Sequence, residues 1–228
     1  MAAIIKRGFL AMLAVEKAVC LTIDEGPAED FMQKVNFLNA KEIRAIWFCM
    51  GEALESCSEE AIAAIKAGHI IGNRGYDHAD FSVIGLQDVK RQIERTDRII
   101  DELYDKAETI RPSKLFRFPF MQHLLDEMND DHFEGIQRVL DELGYQQPFF
   151  ENGSPKTGLH VDCTWDTFDF EPADVLDQHH DLQATSGQII MIHDWISVTP
   201  FQALMEKLLA KNVVFQLPKE TTLQTASI

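Results

Sequence analysis

The chain has 228 residues, with 21 Lys and Arg against 37 Asp and Glu, a net charge of −16. Hydrophobic residues make up 46% and charged residues 25%, a globular balance that excludes disorder. The acidic excess argues against nucleic acid or an acidic lipid surface as partner, since both would repel it, and leaves neutral or cationic ligands open.

Lys6 and Arg7 precede an apolar run over residues 8–15. No small-residue cleavage site precedes Glu16 and Lys17, so the run is expected to be a short helix or strand of the fold, in a cytoplasmic protein. No stretch reaches the ~18–20 consecutive apolar residues of a membrane span. Residues 18–23 (AVCLTI) then read as a buried strand, and residues 28–39 place Phe31, Val35 and Leu38 at helical spacing. A strand over 45–49 is followed by a helix over 59–67, stopped by Gly68 in the manner of a C-cap. A short strand at 69–71 leads to a long helix over 86–104, with Val89, Ile93, Ile100 and Leu103 on one side. Residues 115–118 read as a strand ended by Pro119, and 133–143 as a helix closed by Gly144. Residues 161–165 are strand-like; 188–192 form a strand, 200–210 a helix and 212–217 the last strand.

This alternation implies an α/β fold of parallel strands covered by helices, with barrel-like closure, as one domain over residues 1–228. Cys20, Cys49, Cys57 and Cys163 form no CxxC pair. They are expected to be free thiols, Cys20, Cys49 and Cys163 in apolar or strand-like surroundings, rather than a disulfide frame or a zinc site.

Polar residues gather where strands end: Asp24 and Glu25, residues 74–78, Arg117, residues 166–169, and His193 with Asp194. In a parallel barrel the C-terminal strand ends share one mouth, so these five clusters are expected to converge. Two adjacent carboxylates at Asp24 and Glu25 need a cation or a shared proton. Arg117 suits a bidentate grip on a carboxylate. His193, after a fully apolar strand, is placed as a general acid, its pKa tunable by a neighbouring carboxylate. His179 and His180 read as a solvated face, His123, His132 and His160 as loop residues, and His69 as structural.

In this order the clusters resemble the polysaccharide deacetylase family, also known as the NodB homology domain or carbohydrate esterase family 4. The resemblance runs from about Ala18 to Leu217. It implies an irregular, incomplete (β/α) barrel that hydrolyses N-acetyl groups of glycans, usually with a zinc-like divalent metal. Thr22-Ile-Asp-Glu-Gly-Pro27 matches the family's Thr-Phe-Asp-Asp-Gly-Pro, which makes Asp24 the catalytic base and Glu25 a metal-binding carboxylate one methylene longer. Residues 68–78 (GHIIGNRGYDH) match the second motif; His78 falls on one metal histidine, and Arg74 stands where the other is expected. Arg117-Phe-Pro-Phe-Met121 implies that Arg117 orients Asp24 and that the backbone near Phe120 serves an oxyanion hole. Asp166-Thr-Phe-Asp-Phe170 and Met191-Ile-His-Asp194 imply that His193 protonates the leaving amine, tuned by Asp166.

An arginine cannot ligate a cation, because it stays protonated and offers donors only. Metal binding through Glu25 and His78 is therefore expected to be weak or absent, with Arg74 paired to Glu25 instead. Three readings of activity follow. One is a metal-independent hydrolase of an N-acetylated carbohydrate or small amide. Another is a metal enzyme that recruits Asp77. The third is an inactive carbohydrate-binding relative. Phe149, Phe150 and Trp165 could supply a sugar-stacking wall or pack in the core, Trp195 could line the mouth, and the long connections over 121–132 and 146–160 could shape the groove. The substrate and the oligomeric state stay open at this point.

Overall fold

The structure is a computed structural model and describes residues 18–120, 130–145, 165–166 and 188–218. Strand β1 (Ala18–Gly26) lies at its centre, parallel to β2 (Ile46–Cys49) on one side and β5 (Gln188–His193) on the other. β3 (Ile70–Asn73) extends the sheet beyond β2, and β4 (Trp165–Asp166) extends it beyond β5. The order is β3-β2-β1-β5-β4, with β6 (Val214–Phe215) paired to the start of β1. No pairing closes β4 onto β3 among the described residues, so the expected barrel is seen here as a run of parallel strands.

The expected strand over 115–118 is reduced to one parallel bridge between Asn73 and Phe116. Backbone bonds Asn73 N–H to Leu115 O and Arg117 N–H to Asn73 O hold it there, and Pro119 follows without an N–H to continue the ladder. Among the described residues six helices accompany the strands: α1 (Phe31–Ala40), α2 (Gly51–Ser56), α3 (Ser58–Lys66), α4 (Leu86–Lys106), α5 (Asp130–Glu142) and α6 (Val198–Ala210). The sequence periodicity missed α2, which is six residues long and too short to repeat a pattern. Helix α3 carries Glu59 and Glu60 in its first turn and Lys66 in its last, matching the helix dipole. Gly68 and Gly144 end α3 and α5 at positive φ, as expected from the sequence.

Successive residues of a strand face opposite sides, and the core divides accordingly. Val19, Leu21 and Ile23 of β1 pack with Trp47, Cys49, Ile71, Ile190 and Ile192 under α1, α3, α4 and α6. Cys20 joins Ile46, Phe48, Ile70, Leu115 and Ile189 on the inner face. A second cluster, with Phe81, Phe116, Phe118, Val89, Ile93, Ile136 and Leu140, seats α4 and α5. Cys20 and Cys49 are buried free thiols; burial pushes Cys20 up to about 12 against the pull of Arg117.

His69 is structural, as its position after Gly68 suggested. Its Nδ1 accepts from Ala45 N–H and from Trp47 Nε1–H, both at 3.2 Å. Burial, assisted by the Arg44 charge, holds the imidazole down at about 4. The unfolded chain therefore binds a proton more tightly than the folded one. Stability from this group is complete above about pH 6.5 and is lost as pH falls toward 4, by about 3 kcal/mol. In urea unfolding, the stability gap between wild type and His69→Gln should narrow by that amount over this window. Parallel pH profiles for the two proteins would contradict the assignment.

Candidate functional site

The inner face carries the polar groups at its C-terminal end. Asp24 of β1 is in register with Phe48 of β2 and with His193 of β5, and Phe48 is in register with Gly72 of β3. Period-two alternation thus brings Asp24, Phe48 and His193 to one level on one side of the sheet, with Arg74 two residues beyond Gly72. Gly72 is required here: a Cβ would come within 2.6 Å of the Phe48 ring. That ring supports Arg117, whose guanidinium carbon lies 4.6 Å from the ring centroid.

Asp24 is 0% exposed and is held by two guanidinium groups. Arg117 Nη1 donates to Asp24 Oδ1 and to Thr22 Oγ1, each at 2.8 Å. Arg74 Nη1 donates to Asp24 Oδ2 in a very short contact and to Phe118 O at 3.3 Å. Arg74 Nη2 donates to Glu25 Oε1 at 3.0 Å, and its Nε lies 3.3 Å from His78 Nε2. Carboxylate and guanidinium alternate along the chain Glu25, Arg74, Asp24, Arg117, and their formal charges cancel.

Glu25 Oε1 also lies 3.1 Å from His78 Nε2 and 3.9 Å from His193 Nε2. Burial alone would raise this carboxyl, but the His78 hydrogen bond and the charges of Arg74 and His193 hold it down at about 2. His78 Nε2 serves one partner at a time: protonated it donates to Glu25, and deprotonated it accepts from Arg74. The Glu25 carboxylate faces His193. Asp194, its chain neighbour, turns to Lys34 and to the Ala28 N–H instead.

Among the described residues six other than glycine have positive φ, and they divide into two sets. Glu42, Glu108 and Asn212 follow the C-caps of α1, α4 and α6, where this conformation is ordinary. Glu25 (φ 68°), His78 (φ 59°) and Phe120 (φ 49°) end no helix and all lie at the rim. Strain of this kind persists where surrounding structure imposes it, and it concentrates at functional sites. Two exposed aromatic rings border the group. Phe120, 41% exposed, lies 4.6 Å from the His78 ring, and Trp195, 53% exposed, stacks on His193 at 5.5 Å.

The structure thus brings together Asp24, Glu25, Arg74, His78, Arg117, Phe120, His193 and Trp195. Trp165 and Asp166 sit on β4, Asp166 in register with Met191, two residues before His193. Asp77 is not part of the group, because its Oδ1 accepts from Gln92 Nε2 at 2.7 Å and from Ala79 N–H at 3.2 Å. Phe149, Phe150, Cys163, His123, His160, His179 and His180 lie outside the described residues.

Sequence reasoning missed two supports. Asn73, just before Arg74, donates to Tyr145 Oη at 2.6 Å and to Ile93 O at 2.9 Å, and accepts from Gly75 N–H at 2.8 Å. Tyr145 in turn donates to Asp97, which is paired with Arg111 and Lys114. The other support is Lys34, fully buried on α1. Its signal was legible: it occupies the i+3 place in the apolar stripe Phe31, Val35, Leu38.

Asp24 and the two side chains expected to hold a metal ion, Glu25 and His78, each face Arg74 instead. Its Nη1 is on Asp24, its Nη2 on Glu25, and its Nε is beside His78. Among the described residues no three His, Cys, Asp or Glu side chains are grouped to hold a cation. The residues present at this rim do not fit a divalent metal while Arg74 is seated there.

Residues 14–148 match the family model described as polysaccharide deacetylase. A peptidoglycan-N-acetylglucosamine deacetylase of Bacillus cereus is 31% identical over 132 residues, covering 56% of this chain and 46% of that protein. The chain spans less than half the length of the curated relatives it matches, 46% and 36%. Among solved structures, a family 4 carbohydrate esterase from Streptomyces lividans in complex with acetate superposes with a TM-score of 0.65. It is 21% identical and covers 90% of this chain and 95% of its own. A family 4 pseudoenzyme from Bacillus anthracis superposes with a TM-score of 0.63 at 17% identity, over 88% of this chain and 63% of its own. These likenesses establish the α/β fold with its parallel sheet. No helix among the described residues is long and apolar enough to cross a membrane.

Proposed function

The chain belongs to the polysaccharide deacetylase family, and from that premise we propose that it hydrolyses the amide of an N-acetylated carbohydrate at a rim organised by a guanidinium. The observation that carries this reading is the Arg74 bridge, which joins Asp24 and Glu25 beside His193. In the proposed reaction, water adds to the acyl carbon as Asp24 takes its proton. Arg74 and the backbone N–H near Phe120 stabilise the oxyanion. His193 then protonates the nitrogen as the C–N bond breaks, leaving a carboxylate and an amine. Because Asp24 is closed off from solvent, substrate must first draw Arg74 away from it. Trp195 and Phe120 suit the apolar faces of a sugar, and Asp166 on β4 is the proposed tuner of His193.

One observation favours a second reading. Both oxygens of Asp24 are occupied by arginines, as suits a carbohydrate-binding protein that performs no chemistry. The two readings separate in one experiment, with N-acetylglucosamine oligomers incubated with and without added Zn²⁺ or Co²⁺. The hydrolase reading expects free amine without metal, abolished by His193→Ala. Binding by calorimetry without free amine would establish the second reading and overturn the first.

A further inference from the structure

We propose that Lys34 is a positioning residue for this rim, fixing the end of β5 and the turn after it, which carry His193 and Trp195, to the end of β1, which carries Asp24 and Glu25. The inference rests on reading that rim as the functional site.

Lys34 lies within the apolar stripe of α1, and its side chain is wholly buried. An ammonium has three protons and no acceptor, so burial demands three partners. Lys34 Nζ finds them in Asp30 Oδ1 at 2.5 Å, Asp194 Oδ1 at 2.7 Å and, in a very short contact, Asp194 O. The other oxygen of Asp194 accepts from Ala28 N–H at 2.7 Å, just past the Gly26-Pro27 turn. Asp194 N–H donates to Asp24 O at 2.8 Å. Asp194 therefore touches the backbone on both sides of Glu25 while following His193 directly in the chain. Gly26 makes this approach possible, because a Cβ there would come within 2.7 Å of Asp194 Oδ2.

A buried ion pair is weak evidence for stability, since an apolar pair of similar volume often serves as well. What distinguishes this one is its place. It spans the two strand ends whose side chains meet between Glu25 and His193, 3.9 Å apart. Release of Lys34 frees the β5 turn from α1 without touching either of those side chains, so the effect should be read in the orientation of that turn.

The test uses the full chain labelled with 5-fluorotryptophan and observed by ¹⁹F NMR without ligand. The Trp195 resonance is assigned by its loss in Trp195→Phe. Lys34→Met should shift or split it by several linewidths, while Trp47, sealed against Phe31 in the core, keeps its position. If Lys34→Met does not fold, Lys34→Met/Asp194→Asn, which leaves no lone buried charge, carries the same readout. A Trp195 resonance that coincides with wild type in a folded variant overturns the proposal. So does a Trp47 shift as large as that of Trp195, which reports general loosening. An inactive wild-type protein would overturn the hydrolase reading and leave this result standing, so the two failures are distinct.

Discussion

Arg74→His is expected to give a protein that carries about one tightly held Zn²⁺ per chain after dialysis, where wild type retains none. The argument is electrostatic. A divalent ion brought to ~4 Å from a fixed guanidinium at an effective dielectric of ~20 meets a repulsion of about 8 kcal/mol. That is about the whole binding free energy of a micromolar site. Arg74 also occupies the donors, since Asp24, Glu25 and His78 all face it. An imidazole at the same backbone position removes the charge, frees Glu25 and His78, and adds a third ligand atom. Metal analysis by mass spectrometry reads the outcome, and thermal unfolding gives an independent one: added Zn²⁺ should raise the midpoint of the variant and leave wild type unmoved. A variant that retains no metal, or a wild type that arrives loaded with zinc, would refute this account of the rim.

The convergence of the rim was legible because it follows from two periodicities. Parallel strand–helix alternation puts strand ends on one side, and period-two alternation within strands puts Asp24 and His193 on one face. The need of Asp24 and Glu25 for a cation was also legible from like-charge repulsion, although the sequence alone paired Arg74 with Glu25 and not with Asp24. What pattern reasoning could not reach is the support behind the rim. Tyr145, Asp97 and Asn73 meet across 72 residues of chain and share no local pattern. Asp194 was read with His193 because the two are adjacent, yet adjacency in a turn sends their side chains to different partners, Glu25 for one and Lys34 for the other. The weak strand at 115–118 shows the converse. Its apolar composition suggested a full strand, but composition does not count ladder bonds, and Pro119 limits them.

Asp24→Asn is expected to cost about 3–5 kcal/mol of folding stability, the range for breaking a buried ion pair from one side. Removal of a general base commonly leaves the fold intact, but this carboxylate holds two arginines together in a site closed to water. An amide can accept from one guanidinium and must turn its N–H₂ toward the other, donor against donor. Arg117 has little in reserve, because its Nε and Nη2 have no hydrogen-bond partner among the described residues and its remaining polar contact is Thr22. Arg74 is better placed, since Glu25 still takes one of its nitrogens. The loss should therefore fall mainly on Arg117. Asp24→Leu/Arg117→Met, which removes charge from both sides while Arg74 keeps Glu25, should recover most of it in urea unfolding. Under the hydrolase reading both variants also lose activity by roughly 10²–10⁴-fold or more, as the base is gone in each. Stability and turnover would then separate in the double variant, restored in one and absent in the other. If Asp24→Asn alone unfolds within about 0.5 kcal/mol of wild type, in the range of an ordinary surface change, the two arginines are not held by this carboxylate and the guanidinium-organised rim is wrong.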